Sequence, residues 1–129
     1  MNSAADKLSG QRVLIVEDEY FLAQDLAEYL NHLGVEVVGP VGTVTDALEL
    51  LHYADIQGAV LDINLRGERV YPVADVLEQK QVPFVFASGY GGELEPNAYT
   101  DIPRCIKPLD FAELANTLLD QMNGHKAGD

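Results

Sequence analysis

Positive charge is scarce in this chain: eight Lys and Arg stand against 21 Asp and Glu, giving a formal net charge of −13 and a pI near 4.3. Binding to a phosphate backbone depends on clustered Lys and Arg, so a nucleic-acid partner is not expected. Cysteine is nearly absent as well, and Cys105 alone excludes an internal disulfide. It lies in an apolar run and reads as a small buried core residue rather than a reactive thiol. No apolar stretch is long enough to span a bilayer and nothing resembles a signal peptide, which points to a cytoplasmic protein with no membrane partner. Repeats, low-complexity tracts and linkers are missing too, so no domain boundary is expected.

What is there suits one domain. A chain of 129 residues can bury a sizeable core but is too short for two ordinary domains. Apolar residues at 47% and charged residues at 22% match a globular body. The polar, small-residue ends, residues 1–9 and 123–129, read as flexible tails around a body over 10–122. Most of the carboxylates read as solvated surface.

Short apolar runs alternate with segments of helical period, a pattern that predicts a parallel sheet with helices on both faces. Five strands are expected, from Arg12 to Val16, Val35 to Val38, Ala59 to Asp62, Phe84 to Ala87 and Arg104 to Ile106. Their uniformly apolar character suits strands covered on both faces. Leu22, Leu26, Leu30 and Leu33 mark a first helix that Gly34 would close. Thr43 with Asp46 opens a second helix reaching about Ala54, and Pro72 opens a third, carrying Val73, Ala74 and Leu77 inward. Asp110 with Glu113 starts a last one, with Phe111, Leu114, Leu118 and Met122 as its apolar stripe. Between Ser88 and Arg104, Gly89, Gly91, Gly92, Pro96 and Pro103 leave room for one short helix at most, and this segment is expected to be the most mobile.

Four apolar runs end in a polar group: Val13-Leu14-Ile15-Val16 in Glu17-Asp18, Ala59-Val60-Leu61 in Asp62, Phe84-Val85-Phe86-Ala87 in Ser88, and Cys105-Ile106 in Lys107-Pro108. Ligands of open α/β sheets bind outside the carboxyl ends of the strands, where the winding reverses. The order 2-1-3-4-5 of flavodoxin-like (βα)5 doubly wound sheets is borrowed here, not read from the residues. In it these groups surround one pocket.

Clustered carboxylates repel one another and raise each other's pKa, and Mg²⁺ (or Mn²⁺) relieves that cost through oxygen coordination. Asp18 and Asp62 are the candidate direct ligands, with Glu17 acting through water and the backbone carbonyl of Asn64 completing the protein share. A carboxylate can also attack phosphorus, and Asp62, closing the central strand, is the candidate acceptor. Lys107 would neutralise a transferring phosphoryl group and the Ser88 hydroxyl would bond one of its oxygens. Each residue has a plainer reading. Asp18 and Glu19 fit as charges at a helix N-terminus, Ser88-Gly89 as a turn, and Lys107 as a surface residue before a helix. Asp62, set straight after Ala59-Val60-Leu61, resists such a reading, and the joint fall on four strand ends carries the argument.

On these motifs, together with Leu61-Asp62-Ile63-Asn64-Leu65, Gly67 and Ala87-Ser88-Gly89, residues 10 to 122 resemble the receiver domain of two-component response regulators. The resemblance implies Mg²⁺-dependent phosphorylation of Asp62 by a histidine kinase or phosphotransfer protein. It implies in turn a Ser88 that moves toward the phosphate and an output through protein contacts. Most receivers carry Tyr or Phe three positions before the lysine, where Arg104 stands here. Phe86-Ala87-Ser88-Gly89-Tyr90-Gly91 resembles the FATGUY subgroup of single-domain regulators, named for its Phe-Ala-Thr-Gly-Gly/Tyr motif, which makes Tyr90 and Arg104 the switch candidates, and the shortened region between Ser88 and Lys107 implies a shortened fourth helix. A stand-alone phosphoacceptor, not an enzyme acting on a separate substrate, is expected. Three other readings compete: a phosphate sink or shuttle without an effector, a phosphorylation-independent binding scaffold, and a phosphatase. Against the phosphatase stands Asn64, where a second acid would be needed.

Overall fold

The computed structural model describes residues 7–89 and 99–127, with side chains through Gly124. Five parallel strands, β1 (Arg12–Val16), β2 (Glu36–Val41), β3 (Gly58–Asp62), β6 (Phe84–Ser88) and β7 (Arg104–Ile106), form one sheet in the order β2-β1-β3-β6-β7. This is the expected flavodoxin-like order once a small hairpin, β4 (Asn64–Leu65) and β5 (Glu68–Arg69), is counted in chain order. Among the described residues four helices cover the sheet: α1 (Tyr20–His32), α2 (Val44–Tyr53), α3 (Tyr71–Gln79) and α4 (Phe111–Ala127).

Alternation along each strand explains why the runs are apolar throughout, since successive side chains point to opposite faces. Leu14, Val16, Ala59, Leu61, Phe84 and Phe86 join Ala47, Leu51, Val73, Ala74 and Leu77 of α2 and α3 in one core. Val13, Ile15, Val60, Val85 and Ala87 join Leu26, Ala27, Leu30, Leu114, Ala115 and Leu118 of α1 and α4 in the other. Both faces are dry, so a charged group on these strands is tolerated only at their ends.

Local signals set the helix boundaries. Thr43 caps α2 by accepting a hydrogen bond from the Asp46 N–H at 3.1 Å, and Asp110 does the same for α4 through the Glu113 N–H at 3.1 Å. Gly34 takes φ +88° just after α1, a left-handed value that a side chain resists. A Cβ there would also lie 2.5 Å from the Ser9 hydroxyl.

Some expectations need correction. β2 runs over Glu36–Val41, not Val35 to Val38, and its register against β1 slips between Leu14↔Val38 and Val16↔Val41. It passes through Pro40, which an edge strand accepts because one side of its backbone needs no ladder partner. The body also exceeds residues 10–122: Leu8 is fully buried in the α1/α4 core, and α4 continues to Ala127. The hairpin was not expected at all. The expected short fourth helix and Tyr90 fall on residues 90–98, outside the described residues.

Candidate functional site

Strand register brings the polar ends together. Val16 is level with Leu61, Asp62 with Ala87, and Ser88 with Ile106, so Glu17, Asp62, Ser88 and Lys107 meet at one edge of the sheet. That edge lies beside the reversal of winding between β1 and β3, where a crevice forms outside the strand ends. The two-residue connection of β2 to α2, Gly42-Thr43, stays close, a Cβ built at Gly42 falling 3.4 Å from the Asp18 backbone.

Glu17, Asp18 and Asp62 each offer a carboxylate oxygen, and these oxygens lie within 4.8 Å of one another. Glu17 and Asp62 are buried, at 6% and 4% exposure, so their charges have little water to screen them. Burial first, then repulsion from Glu17, pushes the Asp62 carboxyl up to about 7, and the attraction of Lys107 offsets this only in part. The Asn64 N–H donates to Asp62 Oδ1 at 3.3 Å and the Glu19 N–H to Glu17 Oε2 at 3.0 Å.

Lys107 supplies the opposing charge. Its Nζ lies 2.9 Å from Glu19 Oε2, 3.1 Å from Glu17 Oε2 and 3.3 Å from Asp62 Oδ2. Burial works against that charge, but the carboxylates of Glu19, Asp62 and Glu17 outweigh it and hold the ammonium pKa above its ordinary value. Ser88 closes β6 with its carbonyl accepting the Lys107 N–H at 2.8 Å. Its hydroxyl is buried and has no hydrogen-bond partner among the described residues. A buried hydroxyl without a partner is costly and uncommon.

Six candidates, Glu17, Asp18, Asp62, Asn64, Ser88 and Lys107, are thus gathered in one place. Arg104 sits on β7, level with Phe86 and separated from β1 by β3 and β6. Sequence reading missed two participants. Glu19 makes the shortest contact to Lys107, and Arg66 places Nε 3.4 Å from Asp18 Oδ2. Glu19 was assigned to the helix terminus; Arg66 belongs to the unforeseen hairpin. Cys105 packs at the margin of the α1/α4 core, and burial pushes its thiol up, as an unreactive residue requires.

The donor set is chemically apt for a hard divalent cation, with carboxylate oxygens at the mouth and a buried acid whose charge Lys107 relieves only in part. An orphan hydroxyl and an ammonium flank the same acid on the side of β6 and β7. Such a fold and site define a receiver-type signalling module, and the comparisons agree. The chain belongs to the response-regulator receiver family of two-component systems.

SdrG from Sphingomonas melonis is 38% identical, with 84% of this chain and 96% of that one covered at a TM-score of 0.74. SdrG in its BeF3-activated conformation aligns over 92% of this chain and 99% of that one at 35% identity and a TM-score of 0.71. A response regulator receiver protein from Sinorhizobium medicae shares 28% identity over 89% of this chain and 96% of that one, TM-score 0.79. The transcriptional regulatory protein PdtaR of Mycobacterium tuberculosis is 33% identical over 89 residues, 67% of this chain and 42% of its own length. The chain spans less than half the length of the curated relatives it first matches. No protein-family model matches it. No helix among the described residues is long and apolar enough to cross a membrane.

Proposed function

We propose that this receiver accepts a phosphoryl group on Asp62 in a Mg²⁺-dependent step and relays the signal through protein contacts in the cytoplasm. The observation that carries the reading is the setting of Asp62. It is a buried carboxylate at the end of the central strand, within 4.8 Å of two further acids and 3.3 Å from the Lys107 ammonium.

Glu17, Asp18, Asp62 and the Asn64 carbonyl would hold the cation, which supplies charge neutralisation for phosphoryl oxygens. Asp62 presents one carboxylate oxygen to the phosphorus of a phosphohistidine on a kinase or phosphotransfer protein. The new P–O bond replaces the P–N bond, and the electron pair returns to the imidazole. Lys107 stands where charge gathers on the transferring group, and the Ser88 hydroxyl is free to donate to one of its oxygens. Dry strands beneath the site fix these groups, so positioning and electrostatics do the work.

Kinship with the FATGUY subgroup, with Tyr90 and Arg104 as switch residues, rests on the run Phe86-Ala87-Ser88-Gly89-Tyr90-Gly91, and output by protein–protein contact rests on the receiver fold shared with SdrG. The test is incubation with acetyl phosphate and Mg²⁺ followed by intact-mass measurement. A mass increase of one phosphate that Asp62→Ala abolishes is the expected result. An increase that survives in Asp62→Ala, or steady turnover of a phosphate ester without a phosphoprotein, would overturn the reading.

A further inference from the structure

Arg66 occupies an unusual place for a charged residue. It and Gly67 have φ of +55° and +90°, and Leu65 pairs with Glu68 across them. Positive φ at both central positions is the signature of a two-residue type I′ hairpin turn, where a side chain other than Asn, Asp or Gly is disfavoured. The turn is held nonetheless. The Asn64 side-chain oxygen accepts the Gly67 N–H at 2.8 Å, and the Asn64 N–H in turn donates to Asp62 at 3.3 Å. The hairpin is therefore fastened to the acidic site, and the Arg66 side chain, 81% exposed, reaches back to Asp18 Oδ2 at 3.4 Å.

The division of charges gives this contact its meaning. Lys107 reaches Glu17, Glu19 and Asp62, while Asp18, at the mouth of the cluster, is held by Arg66. A divalent cation and a guanidinium cannot both sit close to one carboxylate without repelling each other.

We propose that Arg66 is a positioning residue for the cation site. It is an exchangeable counter-ion that holds Asp18 in the cation-free protein, must let go when Mg²⁺ takes that carboxylate, and so sets how much Mg²⁺ the protein needs. This rests on the reading of the acidic cluster as a Mg²⁺ site, but not on phosphorylation. Because the Arg66 side chain is 81% exposed, its release into water is cheap even though Asp18 is only 14% exposed, and the effect on affinity is modest, about two- to tenfold.

Mg²⁺ titration of the unphosphorylated full chain, followed by backbone amide NMR shifts at low ionic strength, tests the inference. Arg66→Gln should bind Mg²⁺ about two- to tenfold more tightly than wild type, and Arg66→Lys, with its charge kept, should stay near wild type. Added salt should narrow the difference, since it screens exposed pairs. In an Asp18→Asn background Arg66→Gln should change affinity far less, because the competing pair is already gone. Unchanged or weaker binding in Arg66→Gln overturns the proposal, and so does equal tightening with and without Asp18. Absence of Mg²⁺ binding in wild type and variants alike overturns it together with the metal reading, whereas wild-type binding with no Arg66 effect overturns it alone.

Discussion

Lys107 stands closer to Glu19 than to Asp62: its Nζ is 2.9 Å from the Glu19 carboxylate and 3.3 Å from that of Asp62. One ammonium is divided among three acids, and the nearest of them is 62% exposed in its side chain, at the edge of the pocket. Glu19→Gln removes that outer competitor and leaves Lys107 to Glu17 and Asp62. The Asp62 pKa should then fall, because the attraction that opposes burial and Glu17 grows. Titration of the Asp62 side-chain carboxyl carbon by NMR checks this, and an unmoved or higher pKa would show that Glu19 does not draw on Lys107.

Asp62 also predicts a pH dependence of stability in the metal-free protein. Its carboxyl is pushed from an ordinary 3.8 up to about 7 in the folded chain. Between those values the folded state binds the proton that the unfolded state has lost, so stability falls as pH rises through the window. Each unit of such a shift is worth about 1.4 kcal/mol, which makes the loss on the order of a few kcal/mol. Asp62→Asn, neutral at every pH, should lack this slope and be the more stable protein at pH 8 in EDTA. Urea denaturation of both at pH 5 and pH 8 measures the difference. A wild type as stable at pH 8 as its Asn variant would show that Asp62 carries no such strain.

Much of the site was legible because strand ends are where an apolar run must stop. A charge after Ala59-Val60-Leu61 has no helix or turn signal to account for it, and the same logic placed Glu17 and Lys107. The fold order followed from the runs together with a borrowed topology. The hairpin escaped because two-residue strands are too short to show a period, and Arg66-Gly67 lacks the Asn or Asp that usually marks a type I′ turn. Pro40 concealed the far half of β2, since proline suits an edge strand but reads as a strand breaker. Leu8 gave no sign of its burial because one apolar residue has no periodicity. Contacts such as Arg66 with Asp18, or Lys107 with Glu19, depend on side chains that meet only after folding.

Ser88→Ala should leave the resting protein unharmed. The hydroxyl is buried without a partner among the described residues, so removing it deletes an unsatisfied polar group and only one small atom's packing. Unchanged stability, or a gain of up to about 1 kcal/mol, is expected in chemical denaturation. The same variant should lose the amide shifts that beryllofluoride with Mg²⁺ induces in wild type around β6, if the hydroxyl binds a phosphoryl oxygen. A destabilisation of 2 kcal/mol or more, by the same scale of buried hydrogen bonds, would reveal a partner the hydroxyl already has.

Tyr99 links the chain entering β7 to α3. Its ring is stacked on Tyr71 with centroids 6.1 Å apart and meets Phe84 and Phe86 edge-on at 5.8 and 5.9 Å, while its hydroxyl donates to the Asp75 carboxylate. Burial first, then Asp75, holds the phenol pKa above its ordinary value, so this contact stabilises the fold below about pH 10 and is lost as the pH rises further. Two variants separate ring from hydroxyl. Tyr99→Phe keeps the aromatic packing and gives up one exposed hydrogen bond, for about 1 kcal/mol. Tyr99→Ala also empties the space beside Phe86, and aromatic truncations of this kind cost about 3 kcal/mol or more when fully buried, somewhat less at a half-buried site. Tyr99 holds a positive φ of 59°, and Ile102, buried behind it, donates its N–H to the Tyr99 carbonyl at 3.1 Å. Loss of the ring should therefore loosen the approach to β7 before the rest of the sheet. Hydrogen exchange checks the order: in Tyr99→Ala the amides of Ile102 and Phe86, which bonds the Pro103 carbonyl at 3.0 Å, should exchange faster while those of β1 keep their protection. Uniform acceleration across the sheet would instead make Tyr99 an ordinary part of one cooperative core.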